Sequence, residues 1–224
     1  MLQFMVRSFH KYLSLFISIQ LLLWTVSGIY FSFNKIELIR GEQYLSPKKD
    51  FQFDMNELNL KLTAKNVSVF KRLNKWIVKV ETNSGTYYTN TEGDKLDELS
   101  SDEAMQAVRD HTSLIPVKAI RITNSNRGSE YRGRSLPLFK VSTSSEENVN
   151  VYIDAVSGEV QAIRSNSWRI WDFFWGTHIM DYRERENIDN LFLKIFSILA
   201  LISALSGIML FFLGQQRKAA GRSK

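Results

Sequence analysis

The chain has 224 residues, 44% of them apolar, and a mean hydropathy of −0.18 that averages over two unlike populations. Its net charge of +6 is terminal. All 23 acids lie between Glu37 and Asp189, while Arg7, Lys11, Lys194, Arg217, Lys218, Arg222 and Lys224 carry the excess beside two long apolar runs, a membrane-orienting pattern that excludes a nucleic-acid reading of the pI near 9.4. Cysteine is absent, which excludes disulfides, thiolate catalysis, Cys-ligated zinc and iron–sulfur clusters.

Residues 1–11 read as a cytoplasmic N-terminus and 12–33 as a first transmembrane helix. The 23 uncharged residues between Lys11 and Lys35 suffice to cross a ~30 Å hydrocarbon core at ~1.5 Å per residue. A cleaved signal peptide is the competing reading. The apolar run exceeds the ~7–15 residues of a usual h-region, and Phe31-Ser32-Phe33-Asn34-Lys35 lacks a small-x-small cleavage pattern, so the anchor is expected to stay attached.

Residues 34–97 and 98–165 read as one unit written twice, each a helix followed by three antiparallel strands. In the first copy Asp54 to Leu58 opens a helix with Leu58 and Leu62 at i,i+4, and strands are expected at Val67–Arg72, Trp76–Glu81 and Thr86–Asn90. In the second, Ser100 or Ser101 caps a helix, and strands are expected at Val117–Thr123, Leu136–Val141 and Asn150–Ile153. Both copies close on a strand, an Asx and a glycine: Asn90 and Gly93, then Asp154 and Gly158, the composition of a tight turn. Asn124 to Arg134, with Arg127, Arg132 and Arg134, reads as a long hairpin loop, either a docking surface or a solvated mobile tip.

Residues 166–190 read as an aromatic interfacial helix and connector. Trp168, Trp171 and Trp175 recur at helical spacing, which suits the headgroup region or, alternatively, a helix packed on the soluble domain. The sign alternation from Asp181 to Glu186, with Asp181 and Arg185 at i,i+4, reads as a solvated helical face or connector. Residues 191–214 read as the second transmembrane helix and 215–224 as a basic tail, with 22 uncharged residues between Lys194 and Arg217. The basic clusters beside the spans put both termini in the cytoplasm and the central domain outside, periplasmic in a Gram-negative bacterium.

A helix plus an antiparallel three-stranded sheet, ending in Tyr152-Ile153-Asp154-Ala155-Val156-Ser157-Gly158-Glu159-Val160, resembles the PepSY module. Arg7-x-x-His10-Lys11-Tyr12 leading into a span with Ser27-Gly28, and a second span with Ser206-Gly207, resemble the PepSY-associated transmembrane family of bacterial inner-membrane proteins. The resemblance covers most of the chain and implies an α+β fold anchored by two helices. PepSY modules occur in propeptides of secreted metallopeptidases, and membrane relatives with four or more spans include iron-regulated proteins and proposed haem-binding ferric-siderophore reductases. Two spans depart from those reductases.

No HExxH, P-loop, GxSxG or GxGxxG motif is present, and no catalytic residue or metal site is expected. Asp154 reads as a turn residue accepting backbone N–H groups, and His111 as a helix-end residue favoured by the dipole. His10, at the cytoplasmic mouth of the first span, reads as an interfacial anchor or a haem ligand, and His178, near the outer face, as the other candidate ligand. The topology separates them by ~30 Å, so one chain cannot ligate a haem through both. Ser27, Gly28, Ser203, Ser206 and Gly207 read as helix-packing positions, with local flexibility as the alternative; the two Ser-Gly steps fall in opposite leaflets and should not face each other. The expected function is a non-enzymatic accessory or regulatory protein that needs no cofactor. Its expected partners are the lipid bilayer and a membrane or periplasmic protein, or a second copy in a homodimer. The alternative is an oligomeric redox component that binds haem b and serves iron uptake or respiration.

Overall fold

The computed structural model describes residues 2–47, 51–58 and 63–222. It is an α+β structure with two small antiparallel sheets and two helices long and apolar enough to cross a membrane by length and composition, Phe4–Phe33 and Leu191–Gln215. Two compact units divide the chain: a helical unit of residues 1–34 and 171–224, and a sheet unit, Lys35–Ile170.

In the helical unit, α1 (Leu2–Phe33) is uninterrupted, so residues 2–11 form the first turns of the same helix rather than a separate N-terminal segment. It runs antiparallel to α5 (Leu191–Arg222), with Phe16 stacked on Phe196 at 5.7 Å and Ser14 bonded to Ser203 at 2.7 Å. The pair is staggered. Above Phe16 the neighbour of α1 is the end of α4 (Asn166–His178): Tyr30 lies 4.8 Å from Phe174, Phe31 lies 5.4 Å from Trp171, and Gln20 Nε2 donates to Thr177 O at 3.1 Å. The segment from Asp181 to Glu186 forms turns instead of a helical face. The Asp181 carboxylate accepts the backbone N–H groups of Arg183, Glu184, Glu186 and Asn187, and Arg185 takes φ 58 and reaches back to the buried Asp172 at 2.6 Å. A carboxylate so placed satisfies donors that a helix would otherwise have to pair. Burial pushes the Asp181 carboxyl up, and the four N–H bonds more than offset this, leaving it below its ordinary value.

In the sheet unit, a short helix α2 (Ile36–Ile39) precedes a first sheet of order β1-β2-β3, built from Asn66–Arg72, Lys75–Thr82 and Gly85–Thr89. The helix expected from Asp54 is a single 3-10 turn, Met55–Glu57. Asp54 caps it at Asn56 N, 2.9 Å away, but Leu58 is already extended; Leu62 lies outside the described residues. The second copy forms its helix, α3 (Ser101–His111), because Ser100 and Glu103 make a reciprocal capping box of 3.2 and 2.8 Å. Ala104, Ala107 and Val108 pack that helix on one face of a second sheet.

The second sheet has order β4-β5-β6-β7: Pro116–Ile122, Leu138–Thr143, Asn150–Asp154 and Val160–Arg164. Its fourth strand was not among the expected three; the Asp154–Gly158 turn folds Val160 to Arg164 back on β6. Phe139, Val141, Val151 and Ile153 face α3, while Leu138, Tyr152 and Ala162 face the opposite way, onto Tyr131 and Leu136. At ~1.5–3 kcal/mol for each fully buried aliphatic side chain, this two-sided sheet is the main source of folding free energy in the unit.

The loop Asn124 to Arg134 is therefore a cover, not a free hairpin tip. Tyr131 is buried and donates its hydroxyl to Asn124 O at 2.9 Å. Glu130 accepts from Arg169 Nε at 2.6 Å and Tyr152 Oη at 2.8 Å, and its carbonyl accepts from Arg164 Nε at 2.9 Å. Burial raises the Glu130 carboxyl, but Arg169, Tyr152 and Asn150 together outweigh that and leave it below the ordinary range. Burial, with Arg134 and Arg132 nearby, pushes Arg164 down to about 10.

Candidate functional site

Each Ser-Gly step of the long helices holds a histidine from another helix. On α1, the Ser27 hydroxyl lies 3.1 Å from Trp24 O of its own helix and 2.6 Å from His178 Nδ1. On α5, the Ser206 hydroxyl donates to Ser203 O at 2.8 Å and faces His10 Nδ1 at 2.8 Å. Each imidazole is thus held by a serine through Nδ1, which turns its Nε2 away from that serine. His10 Nε2 has only Ser14 Oγ at 3.5 Å, and that serine is engaged with Ser203 at 2.7 Å.

The surroundings differ. His178 sits among Phe31 at 5.6 Å and Trp24 at 6.4 Å between ring centroids, and its carbonyl accepts from Trp24 Nε1 at 2.7 Å. His10 sits against Gly207, where a Cβ would come within 3.2 Å of the ring. Gly207 thus gives the imidazole room to reach Ser206. Gly28 has nothing within 4 Å of a Cβ, so inside the chain it packs against no side chain. From Ser206, level with His10, α5 continues uncharged to Gln216.

The tryptophans do not act as one stripe. Trp168 belongs to the sheet unit, where it is buried with the Arg164 guanidinium 4.3 Å and that of Arg132 5.4 Å from its ring. A buried ring under two cations is not a headgroup anchor. Trp171 and Trp175 stack on each other at 5.4 Å in the helical unit and pack on Phe31. The two Asx-Gly turns share one construction. Asp154 accepts from Val156 and Ser157 N at 3.0 and 2.7 Å, Asn90 from Glu92 and Asp94 N at 3.0 and 2.8 Å, and Gly158 and Gly93 take φ 76 and 98, which glycine alone adopts without strain.

The histidines fit an axial haem position in one respect: a ring tethered through Nδ1, with Nε2 turned away from the tether, is how a protein orients such a ligand. Each is alone at its level. Ser27, which holds His178, lies 17 residues along α1 from His10, ~25 Å of helix, so a second axial ligand would have to come from outside the chain. Among the described residues, no three His, Asp or Glu side chains gather as a metal ion would require.

Sequence reasoning singled out Ser27, Ser203, Ser206 and both histidines but did not pair them, and it missed Ser14, Gln20 and Trp24. Polar residues at positions 14, 20 and 24 of an apolar helix were the available signal. No family model, curated protein or solved structure matches the chain.

Proposed function

We propose that this chain is a non-enzymatic accessory protein of a bacterial inner membrane, crossing it twice with both termini cytoplasmic. In this reading the sheet unit is a periplasmic PepSY-like tandem that binds a protein partner, and the helices contact a membrane complex. The observation that supports it is the inverted construction of the helical unit: Gln20, Ser27, Thr177, Ser203 and Asp172 are buried, while Leu15, Ile19, Ile198, Leu201 and Phe211 are exposed. Lipid inverts the usual sorting in this way, since backbone and side-chain polar groups must be satisfied internally. The open face of Gly28 is the position left for a partner helix or a second copy.

Alkaline phosphatase fused at Ser145 should be active and at Gly214 inactive; the reverse pattern would sink the topology. A photo-crosslinker at Val117 or Ile120, both exposed on edge strand β4, should give a discrete protein adduct in cells. Its absence at both positions would count against a partner for the sheet unit.

A second reading, binding of haem b in an oligomer, is favoured by the two Nε2 atoms turned away from their serines. Haem would supply one-electron chemistry; His178 or His10 would hold it, and Ser27 or Ser206 would fix the ring. A Soret band in the purified protein, lost in His178→Ala or His10→Ala, would establish it. A protein that stays colourless after haem reconstitution would leave the accessory reading alone.

A further inference from the structure

The stagger of the two long helices places two cations beside a helix that is still apolar. His10 is level with Ser206, and the Ser14–Ser203 and Phe16–Phe196 pairs carry the same register outward. From Ser206 α5 runs uncharged to Gln216, about ten residues or ~15 Å further, with Ile208, Phe211 and Phe212 exposed on the way. At the other end, Lys194 is paired with Asp189, and the neighbouring Arg183, Glu184 and Glu186 are exposed. The outer end of α5's apolar run is thus marked by charge, whereas its inner end continues past the level of Arg7 and Lys11.

These two residues are one turn apart on one face of α1, both exposed, beside the seam where His10 and Ser14 meet α5. The first acid of the chain is Glu37, and α5 carries none. Lys11 has the Tyr12 ring at 5.6 Å, a weak substitute for a counter-ion. Leu15, exposed on the same face one turn further along α1, offers apolar surface. Cations level with an exposed apolar helix surface call for an anion that brings its own apolar body.

We propose that Arg7 and Lys11 bind the phosphate of an anionic phospholipid of the inner leaflet, its acyl chains lying against Leu15. The guanidinium offers a bidentate fork and the ammonium a point charge, so one phosphate satisfies both. This rests on the two-span reading, which carbonate extraction tests separately: release of the full-length protein into the soluble fraction would refute the spans, whatever lipid is found.

The test is the phospholipid retained by full-length protein purified from bacterial membranes in mild detergent, quantified by mass spectrometry against the bulk membrane. Phosphatidylglycerol or cardiolipin should be enriched roughly fivefold or more, the equivalent of one basic contact with anionic lipid, and Arg7→Gln/Lys11→Gln should return the ratio to bulk while phosphatidylethanolamine is unchanged. Should that variant not accumulate, the wild type is compared in nanodiscs: a higher unfolding temperature with phosphatidylglycerol than with phosphatidylcholine supports the site, and equal temperatures refute it. Bulk composition in the wild type, unchanged enrichment in the double variant, or displacement of the lipid by inorganic phosphate would each overturn the proposal.

Discussion

The two units of this protein use the same kinds of residue in opposite places. In the sheet unit, Val78, Val80, Leu138, Val141, Val151 and Ile153 are sealed inside and charge lies outside or in clasps such as Glu130 with Arg169. In the helical unit many large apolar side chains of the long helices face outward, and the interior holds Ser27 with His178, Gln20 with Thr177, and Asp172 with Arg185 beside Ile17 and Ile179. The sheet unit is stabilised by removing apolar area from water. The helical unit is organised by hydrogen bonds between helices, which fix register more than they add free energy.

The contrast breaks most visibly under core truncation. Leu138→Ala in β5 should destabilise the sheet unit by about 2–5 kcal/mol in denaturant melts, whereas Ile19→Ala on the exposed face of α1 should change detergent-phase stability by less than about 0.5 kcal/mol. Equal losses would mean that α1 is a buried core helix and that the inversion is misread.

Glu130→Gln should follow, costing roughly 1.5–3 kcal/mol by removing a charged hydrogen-bond hub over the sheet. Its carboxyl is held below the ordinary value in the folded state. The stability it contributes is therefore present above the unfolded-state pKa of ~4.3 and is lost as pH falls through the lower folded pKa. The variant should thus show a flatter stability–pH curve on the acid side than the wild type; parallel curves would remove Glu130 from the acid response.

Ser100→Ala should cost about 1 kcal/mol through the capping box of α3. The Ser27→Ala and Ser206→Ala substitutions should each cost only about 0.6 kcal/mol, yet shift the ring-nitrogen NMR signals of His178 and His10. Unchanged signals in both would mean the serines follow the rings and do not set them.

What was legible in the sequence was mostly local. The strands Asn66–Arg72 and Lys75–Thr82 show in alternation and turn residues, the α3 cap in Ser100 and Glu103, and both Asx-Gly turns in residues two to four apart. The failures have a common cause too. Asp54 to Leu58 has helix-like spacing, but one Asx bond made a 3-10 turn and nothing sustained it. The helical period placed Trp168, Trp171 and Trp175 on one stripe, but Arg164 and Arg132 cover Trp168 while Phe31 draws the other two away. Periodicity records which face a residue occupies and not what comes to meet that face.

The amino-acid sequence by itself determined that two long helices, each with an uncharged run of more than 20 residues, flank a charged α+β region, because length, charge clustering and turn chemistry act over a few residues. Only the tertiary structure decided the stagger of α1 on α5, the folding of Asn124 to Arg134 over Tyr152, and the assignment of each Ser-Gly step to a histidine. Those pairs are joined across 196 residues for His10 and Ser206 and 151 for Ser27 and His178. At such separations no local propensity constrains the register: an apolar helix can slide along another at little cost until a serine finds an imidazole, and that bond selects the register.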